Sequence, residues 1–307
     1  GRADEIMKMQ PIAPSFISQA LRCDAEQAVR EYAVWGGVPR YWVLRENYDS
    51  LYDAIENLLL TPEGTLYDEP SKLLYDEMRD TVQASSILSF IGNGANKLSE
   101  IASRAEKQAT DITLQLSRLK ELGFIKKEIP FGESEKKSRK GLYHISDPLL
   151  RFHYRYVLPY RSLIELGNSA AVLNVLTKTE NDYTSQAWEE LCRNYISTHG
   201  FDDVIYQMAS RWWGSYYNEE KGQYLPVELD VVAESFDGKH LFLGECKWQN
   251  GNQPIDAKEE LERLQTIAKG LPFAKDHEVH YGLFLREPPK HPGVANIYYP
   301  SDVLAKS

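Results

Sequence analysis

Three polar side chains at the ends of two predicted strands have the residue types of a metal-dependent hydrolase. Asp230 lies near the end of one apolar run, and Glu245 and Lys247 close the next. Because side chains alternate between the faces of a strand, Glu245 and Lys247 point to one face and Cys246 to the opposite, buried face. Two carboxylates can hold Mg²⁺ or Mn²⁺, and an ammonium can orient the attacking water or help to deprotonate it. The trio predicts metal-assisted phosphodiester hydrolysis, with Asp230 and Glu245 as metal ligands.

The spacing alone leaves a second interpretation open. The pattern E-x-K occurs three times, at Glu135/Lys137, Glu219/Lys221 and Glu245/Lys247. Only the third follows an apolar run and has an acidic residue on an upstream strand. The alternative is an ion pair on a solvated edge strand, since exposed pairs of Lys and Glu contribute little to stability. Glu189 is a further candidate for the catalytic metal shell, and its alternative is an ordinary glutamate on a helix surface.

The elements that position these residues form a mixture of helices and strands from about residue 180 onward. The buried side of an amphipathic helix that ends at Gly200 is predicted at Trp188, Leu191, Cys192, Tyr195 and Ile196. Residues 227–232 and 241–246 are predicted strands, and the Asp237-Gly238 turn between them indicates a hairpin. A helix over about 257–268 and a strand over 280–285 follow. This order predicts a small α/β domain.

Residues about 81 to 165 show three helices followed by a hairpin. The first helix ends at Gly92, and a short second helix spans about 98–105. Thr110 or Asp111 is the predicted cap of the third helix, whose buried stripe is Ile112, Leu116 and Leu119 and which ends at Gly123. Two short strands then flank a polar run over 132–141. Helix, helix, helix, strand, basic loop and strand is the order of a winged helix-turn-helix.

This middle segment is basic within an acidic protein. Residues 97–140 contain eleven Lys and Arg against seven acidic residues, a local charge of +4. Polar residues on the predicted recognition helix are DNA-binding candidates for the major groove, and those on the wing are candidates for phosphates. The helix candidates are Thr113, Gln115, Ser117, Arg118 and Lys120, and the wing candidates are Lys136, Lys137, Arg139 and Lys140. A linker module that makes protein contacts, with a solvated lysine loop, is the alternative.

Residues 1 to about 80 have a helical, tyrosine-rich pattern. Asp24 with Gln27 resembles a capping box that opens a helix through Tyr32. Two glycines and a proline over 36–39 end it. A further helix is predicted from about Asp49 to Leu60.

Longer motifs resemble a known protein family. The segments W-E-E-L-C-R-x-Y (188–195), R-W-W-G (211–214), E-L-D-V-V-A (228–233) and L-G-E-C-K-W (243–248) occur in this order. They resemble the C-terminal domain of a family of prokaryotic AAA-type ATPases, and that domain is similar to PD-(D/E)xK restriction-endonuclease-like nucleases. Residues 141–156 resemble the segment after that family's winged helix. Residues 32–42 resemble its helical lid, and residues 1–4 resemble the strand that leaves its nucleotide-binding core.

The resemblance covers essentially the whole chain and implies a nuclease-like fold. Glu189, Asp230, Glu245 and Lys247 fall on the family's nuclease-like positions. The ATP-binding core is absent, so the chain is expected to be the C-terminal part of a longer protein or to have lost that core. ATP and an upstream ATP-binding core are therefore expected only outside this chain. The pattern G-x-x-x-x-G-K-[ST] is also absent, so this chain alone is expected neither to bind ATP tightly nor to hydrolyse it.

Composition and charge limit the classes of protein and partner that are possible. The chain has 307 residues and a net charge of −10, so any nucleic acid must bind a local basic patch. No apolar run approaches a membrane span, and no secretory pattern opens the chain, which predicts a cytoplasmic protein without a membrane partner. The three cysteines are too few for a disulfide framework or a four-cysteine zinc site. The histidines compared for ligand spacing to carboxylates show none; they are His144, His153, His277, His280 and His291.

The sequence therefore predicts a multidomain α and α/β protein. It consists of a helical lid remnant over 1–80, a winged helix with its connecting helix over 81–165, and a restriction-endonuclease-like α/β domain over 166–307. The predicted function is the DNA-binding and nuclease-like part of an ATPase. The alternative function is a non-catalytic regulatory or scaffold module with an inactive nuclease fold.

Overall fold

The chain combines a helical N-terminal region with a C-terminal domain built on a β-sheet, so the prediction of a mixed α and β protein is confirmed. The computed structural model describes residues 11–77, 81–248, 254–291, 293 and 296–305. The segment 1–4 with its predicted resemblance to a strand exit lies outside the described residues.

The N-terminal region consists of short helices. They are α1 (Ile17–Leu21), α2 (Ala25–Trp35), α3 (Pro39–Arg45), α4 (Leu51–Leu59) and α5 (Glu69–Glu77). The Asp24 side chain accepts a hydrogen bond of 2.7 Å from the backbone N–H of Gln27, so the predicted cap of α2 is present. The helix ends at Gly36, whose φ of 60° favours glycine.

The middle region has three helices followed by an antiparallel pair of strands. The elements are α6 (Thr81–Gly92), α7 (Leu98–Arg104), α8 (Ala109–Glu121), β1 (Ile125–Glu128) and β2 (Leu142–Ile145). Helix α8 buries Ile112, Leu116 and Leu119, as the spacing predicts. The predicted cap at Thr110 or Asp111 is wrong, because α8 begins after Gln108. A carboxylate in the first turn also interacts favourably with the helix dipole, so it resembles a cap in sequence.

A run of helical segments leads from β2 to the sheet. Helix α9 (Pro148–Phe152) continues into a π-helical turn (His153–Val157) and a 3₁₀ turn (Leu158–Tyr160), followed by α10 (Arg161–Glu165). Helix α11 (Ser169–His199) has 31 residues. It extends the predicted amphipathic helix towards the N-terminus and ends at Gly200, as predicted.

The C-terminal sheet contains five strands in the order β3-β4-β5-β6-β7. Its elements are β3 (Ser210–Asn218), β4 (Gln223–Glu234), β5 (His240–Lys247), α12 (Ala257–Lys269), β6 (Glu278–Leu285), β7 (Ile297–Tyr298) and α13 (Pro300–Val303). The β3-β4 and β4-β5 pairs are antiparallel, and the β5-β6 and β6-β7 pairs are parallel. Helix α12 crosses over between the parallel strands β5 and β6, as the βαβ arrangement requires.

Two layers of helices cover the sheet. Phe242 and Phe284 belong to an apolar cluster that also contains Trp188 of α11 and Trp35 of α2. The N-terminal helices, α11 and one face of the sheet therefore share one hydrophobic core. The opposite face packs against α12, and the middle region has an apolar cluster of its own. None of the helices in the described part of the chain has the length and apolarity needed to cross a membrane.

A buried ion pair joins α2 to α3. The Arg45 guanidinium donates two hydrogen bonds to the Glu31 carboxylate, at 2.8 and 2.7 Å. The Trp35 indole N–H donates a third, at 2.9 Å. The side chains of Glu31 and Arg45 are only 1% and 5% exposed, so each charge depends on the other for its neutralisation.

We expect Glu31→Gln to destabilise the protein by about 3–5 kcal/mol, because it leaves the Arg45 charge buried without a counterion. The double variant Glu31→Met/Arg45→Met should lose less than the single variant, since both buried charges are removed. Urea unfolding measures both losses. The control Glu262→Gln removes an exposed pair with Lys258 and should cost less than about 1 kcal/mol. A Glu31→Gln loss as small as the control's would contradict the buried-charge argument.

Candidate functional site

The site begins at a fork between β4 and β5. The pairing of these strands ends at Val231 and Gly244, while β4 continues along β3. Asp230 is the next residue on β4, and there its side chain takes the place of a backbone group as the hydrogen-bond partner of β5. Its Oδ2 accepts a hydrogen bond of 2.9 Å from the backbone N–H of Cys246. The carboxylate therefore satisfies a backbone donor that the separating strands leave unpaired.

Glu245 and Lys247 lie on the same face of β5, as strand alternation predicts. The Lys247 ammonium donates a hydrogen bond of 2.7 Å to Oε1 of Glu245. A guanidinium nitrogen of Arg263, on α12, lies 2.9 Å from Oε2. Glu245 is only 7% exposed. Cys246 is buried on the opposite face, also as predicted.

Helix α11 brings Glu189 to the same place. Oε2 of Glu189 lies 3.7 Å from a guanidinium nitrogen of Arg193 and 3.8 Å from Nε of Arg211, on β3. Arg193 also donates a hydrogen bond of 3.0 Å to the backbone carbonyl of Asp230. The four residues predicted as catalytic, Asp230, Glu245, Lys247 and Glu189, thus come from one helix and two strands to one cluster, the fork cluster.

Burial raises the pKa of all three carboxyl groups of the fork cluster, and the charges of neighbouring carboxylates add to the effect. Burial, and then the charge of Glu189, raises the pKa of Asp230 to about 6. Burial also raises the pKa of Glu189. Burial and the charge of Asp230 raise the pKa of Glu245. A bound cation would relieve this repulsion.

The oxygen donors of the fork cluster are of the type that a hard divalent ion prefers, but the ligand atoms of Asp230, Glu245 and Glu189 do not all lie within 4.8 Å of one another. Carboxylate oxygens are the ligands that Mg²⁺ prefers, with water in its other positions. Oδ1 of Asp230 makes no hydrogen bond to any of the described residues, so it is available as a ligand. Glu245 offers its oxygens only while sharing them with Lys247 and Arg263. Asp230 and Glu245 are therefore the residues that would hold the ion, and Glu189 adjoins them.

Sequence reasoning missed the cations and one acid around the fork cluster. Arg193 lies in the motif at 188–195 and Arg211 in the motif at 211–214, so a charged residue within a motif was the signal that the sequence offered. In the structure both side chains lie next to Glu189. Arg263 and Glu128 carry no local signal. Oε2 of Glu128, at the end of β1, lies 3.2 Å from Arg211 and 3.3 Å from the His144 ring.

The predicted DNA-binding residues lie mostly on the surface. On α8, Gln115 is half-buried, and the exposed residues are Thr113, Ser117, Arg118 and Lys120. The four predicted wing cations, Lys136, Lys137, Arg139 and Lys140, are exposed on the loop between β1 and β2. Glu135 contacts Lys120, and Glu133 accepts a hydrogen bond of 2.8 Å from Lys140. These acids reduce the local positive charge.

The basic loop is attached to the sheet that carries the fork cluster. The backbone N–H of Phe131 donates a hydrogen bond of 2.8 Å to the carbonyl of Arg211. The Phe131 ring packs on Phe273, with ring centroids 5.4 Å apart. Lys126 on β1 donates a hydrogen bond of 2.7 Å to Glu190 on α11. A cavity of about 410 Å³ lies between these elements, and Glu128, Glu189, Arg193 and Arg211 line part of it.

Comparisons with known proteins match the segment that carries the fork cluster. Residues 153–262 match the family DUF234, described as archaeal and bacterial proteins of unknown function. The chain is 25% identical over 287 residues to the uncharacterized protein MJECL04 of Methanocaldococcus jannaschii. That alignment covers 92% of this chain and 62% of the relative, so the chain spans less than two thirds of the relative's length. The crystal structure of protein VC1899 from Vibrio cholerae aligns over 96% of this chain and 55% of that chain, at 11% identity and a TM-score of 0.29.

We expect Glu128→Gln to lower the free energy of unfolding by about 2 kcal/mol at pH 7. The lowered pKa of Glu128 limits the contribution of its charge to roughly 3 kcal/mol. Burial by itself would raise the pKa of Glu128, but His144, Arg211 and Arg193 outweigh it and lower that pKa to about 2. The stabilisation is therefore complete above about pH 4.5 and is lost as the pH falls towards 2.

Urea unfolding of wild type and Glu128→Gln at several pH values measures this difference in free energy of unfolding. Glu135→Gln is the matched control, because its carboxylate contacts Lys120 at the surface and should matter little at any pH. A Glu128→Gln effect that stays constant from pH 7 to pH 2.5 would show that the charge of Glu128 is not its cause.

Proposed function

We propose that this chain is the DNA-binding and nuclease-like part of an AAA-type ATPase and cleaves phosphodiester bonds with Mg²⁺ or Mn²⁺. The observation that carries the proposal is the convergence of Asp230, Glu245 and Lys247 at the β4-β5 fork. In this proposal residues 166–307 form a restriction-endonuclease-like domain, and α6 to β2 form a winged helix. ATP binding is assigned to a core outside this chain.

The residues of the fork cluster divide the work of hydrolysis. Asp230 and Glu245 would hold the divalent ion, which would supply an acidified water and neutralise charge on the phosphate. Burial would lower the pKa of Lys247, but the charge of Glu245 outweighs it and raises that pKa. Lys247 is therefore protonated at neutral pH, and it orients the phosphate and the water instead of removing a proton. Arg193 and Arg211 lie 3.7 and 3.8 Å from the Glu189 carboxylate, which would adjoin the ion.

The arrangement of the middle region supports DNA binding. The backbone N–H of Tyr143 on β2 donates a hydrogen bond of 2.8 Å to the carbonyl of Asn96, so the segment before α7 joins the β1-β2 pair. In a winged helix, α8 would lie in the major groove and the basic loop would contact phosphates. Because Phe131 is bonded to β3, a duplex on this loop lies beside the strand that carries Arg211.

One observation favours the second candidate function, a non-catalytic regulatory or scaffold module. Both oxygens of Glu245 already lie next to cations, Lys247 at 2.7 Å and Arg263 at 2.9 Å. In an inactive domain these two cations would supply the neutralisation that a divalent ion supplies in an active one. Metal binding at Asp230 and Glu245 separates the two functions.

We expect Mg²⁺- or Mn²⁺-dependent cleavage of DNA by the wild-type chain, lost by at least about 100-fold in Asp230→Asn and in Lys247→Ala. Asp230→Asn retains an acceptor for the Cys246 N–H, so it removes the charge and preserves the shape. DNA affinity should stay within about twofold, because binding is assigned to the winged helix. Cleavage of labelled duplex, single-stranded and branched DNA and anisotropy titrations measure the two effects.

The matched control is Glu219→Gln/Lys221→Ala, which changes an exposed E-x-K of the same spacing and should retain full activity. Cleavage that survives in both fork variants would point to a contaminant or another site. A wild-type chain that binds Mg²⁺ and cleaves none of the substrates would favour the regulatory module.

We expect the variant Lys136→Ala/Lys137→Ala/Arg139→Ala/Lys140→Ala to bind DNA more weakly and with a flatter salt dependence. Each phosphate contact that is lost lowers the slope of log affinity against log salt by about 0.9. Lys140 should contribute least, because it already donates to Glu133. The control Lys221→Ala/Lys239→Ala/Lys269→Ala/Lys275→Ala removes four exposed charges from the sheet domain. An equal slope for wild type and the wing variant would mean that the loop is only solvated.

A further inference from the structure

A second group of ligand-type side chains lies at the start of β5, at the end opposite to the fork cluster. The parallel register places His240 opposite Glu278, and His280 follows two residues later on the same face of β6. Five residues of extended strand separate His240 from Glu245, which is about 16 Å. The group is therefore distinct from the carboxylates of the fork.

The ligand atoms of this group point to one region. Nδ1 of His240 lies 3.1 Å from Nε2 of His280 and 3.5 Å from Oε2 of Glu278. All three ligand atoms lie within 4.8 Å of one another. Two ligands bound to one zinc ion at about 2.1 Å in tetrahedral geometry lie about 3.3 Å apart. The observed separations are close to those that a shared ion requires.

The two imidazoles are held in place before any ion binds. The backbone N–H of His240 donates a hydrogen bond of 3.0 Å to the Ser235 hydroxyl, which fixes the start of β5. The His280 ring packs edge-on against Phe201, with ring centroids 5.5 Å apart. The His240 side chain is 23% exposed, whereas that of Glu278 is 71% exposed and can adjust to the ion. Sites built on strands are positioned more precisely than sites built on loops.

The chemistry of the donors selects the kind of ion. Imidazole nitrogens suit Zn²⁺, Co²⁺, Ni²⁺ and Cu²⁺, whereas Mg²⁺ and Ca²⁺ prefer an all-oxygen set. Three protein ligands leave a fourth position for water or another molecule. An open groove of about 300 Å³ adjoins His280 and is also lined by Phe201, Asp202, Tyr281, Asn296 and Tyr298.

We propose that His240, Glu278 and His280 form a binding site for one divalent transition-metal ion of the Zn²⁺ type. The three residues come together because β5 and β6 are parallel neighbours. The competing explanation is a plain N–H···N hydrogen bond between the two imidazoles, with Glu278 in solvent. In that case removing either histidine leaves metal binding unchanged.

Titration calorimetry with ZnCl₂ and visible absorption with CoCl₂ test the site in the full chain. A Cys23→Ser background removes a half-buried free thiol, so that no bound zinc is held by it. With excess MgCl₂ present to occupy the fork cluster, the expected result is one bound zinc ion per chain, and cobalt absorption bands typical of four-coordinate nitrogen and oxygen ligation. Removing a residue that only hydrogen-bonds to a metal ligand costs about 10–100-fold in metal affinity. Removing a ligand itself should cost more, so we expect His240→Ala and His280→Ala each to lower zinc affinity by at least about 100-fold. Glu278→Gln should cost about 10-fold or more.

The matched control is His291→Ala, which removes an exposed histidine and should leave affinity unchanged. Asp230→Asn should also retain the zinc stoichiometry, since the fork cluster lies elsewhere. Thermal unfolding in EDTA shows whether each variant is folded, and added Zn²⁺ should raise the melting temperature of the wild type, His291→Ala and Asp230→Asn but not that of the His240 and His280 variants. Zinc binding that persists in a folded His240→Asn/His280→Asn variant, or the absence of cobalt bands in the wild type, would overturn the proposal.

Discussion

The packing of α11 between the N-terminal helices and the sheet is the interaction on which the rest of the structure depends. Trp188 on α11 is fully buried, its indole N–H donates to the carbonyl of Phe284 at 3.3 Å, and its ring lies 5.4 Å from that of Trp248. Burial of one large aromatic side chain is worth several kcal/mol, so the position of α11 on the sheet is strongly determined. Glu189 and Arg193, on the same helix, are positioned with it.

The fork cluster combines this fixed packing with buried ionisable groups. Burial raises the pKa of Asp230, Glu189 and Glu245, and the nearby cations offset only part of that effect. A core selected for stability alone would place apolar residues here, because buried ion pairs are often no better than well-packed hydrophobic ones. Perturbed carboxylates that converge in this way are typical of functional sites.

Ionic and backbone contacts connect the middle region to the sheet. Glu128 at the end of β1 meets Arg211 on β3, and the backbone of Phe131 bonds to the same arginine. The loop that carries Lys136 and Lys137 therefore does not extend freely into solvent away from the sheet.

Features that depend only on neighbouring residues along the chain could be predicted from the sequence. These include the Asp24 cap, the buried stripe of α8, the hairpin around Asp237-Gly238 and the shared face of Glu245 and Lys247. Capping, helical period and strand alternation act over a few residues, so local spacing contains the necessary information.

Contacts between residues from distant segments depend on how the helices and strands pack, so the sequence did not predict them. Arg263 reaches Glu245 because α12 packs on the sheet, and Glu128 reaches Arg211 because the segment after β1 bonds to β3 at Phe131. The histidines show no ligand spacing along the chain, yet the imidazoles of His240 and His280 lie 3.1 Å apart. These two histidines meet because the α12 crossover makes β5 and β6 parallel neighbours. The spacing of residues along the chain does not predict the pairing of β5 with β6, because packing and not a local turn sets the register of two parallel strands.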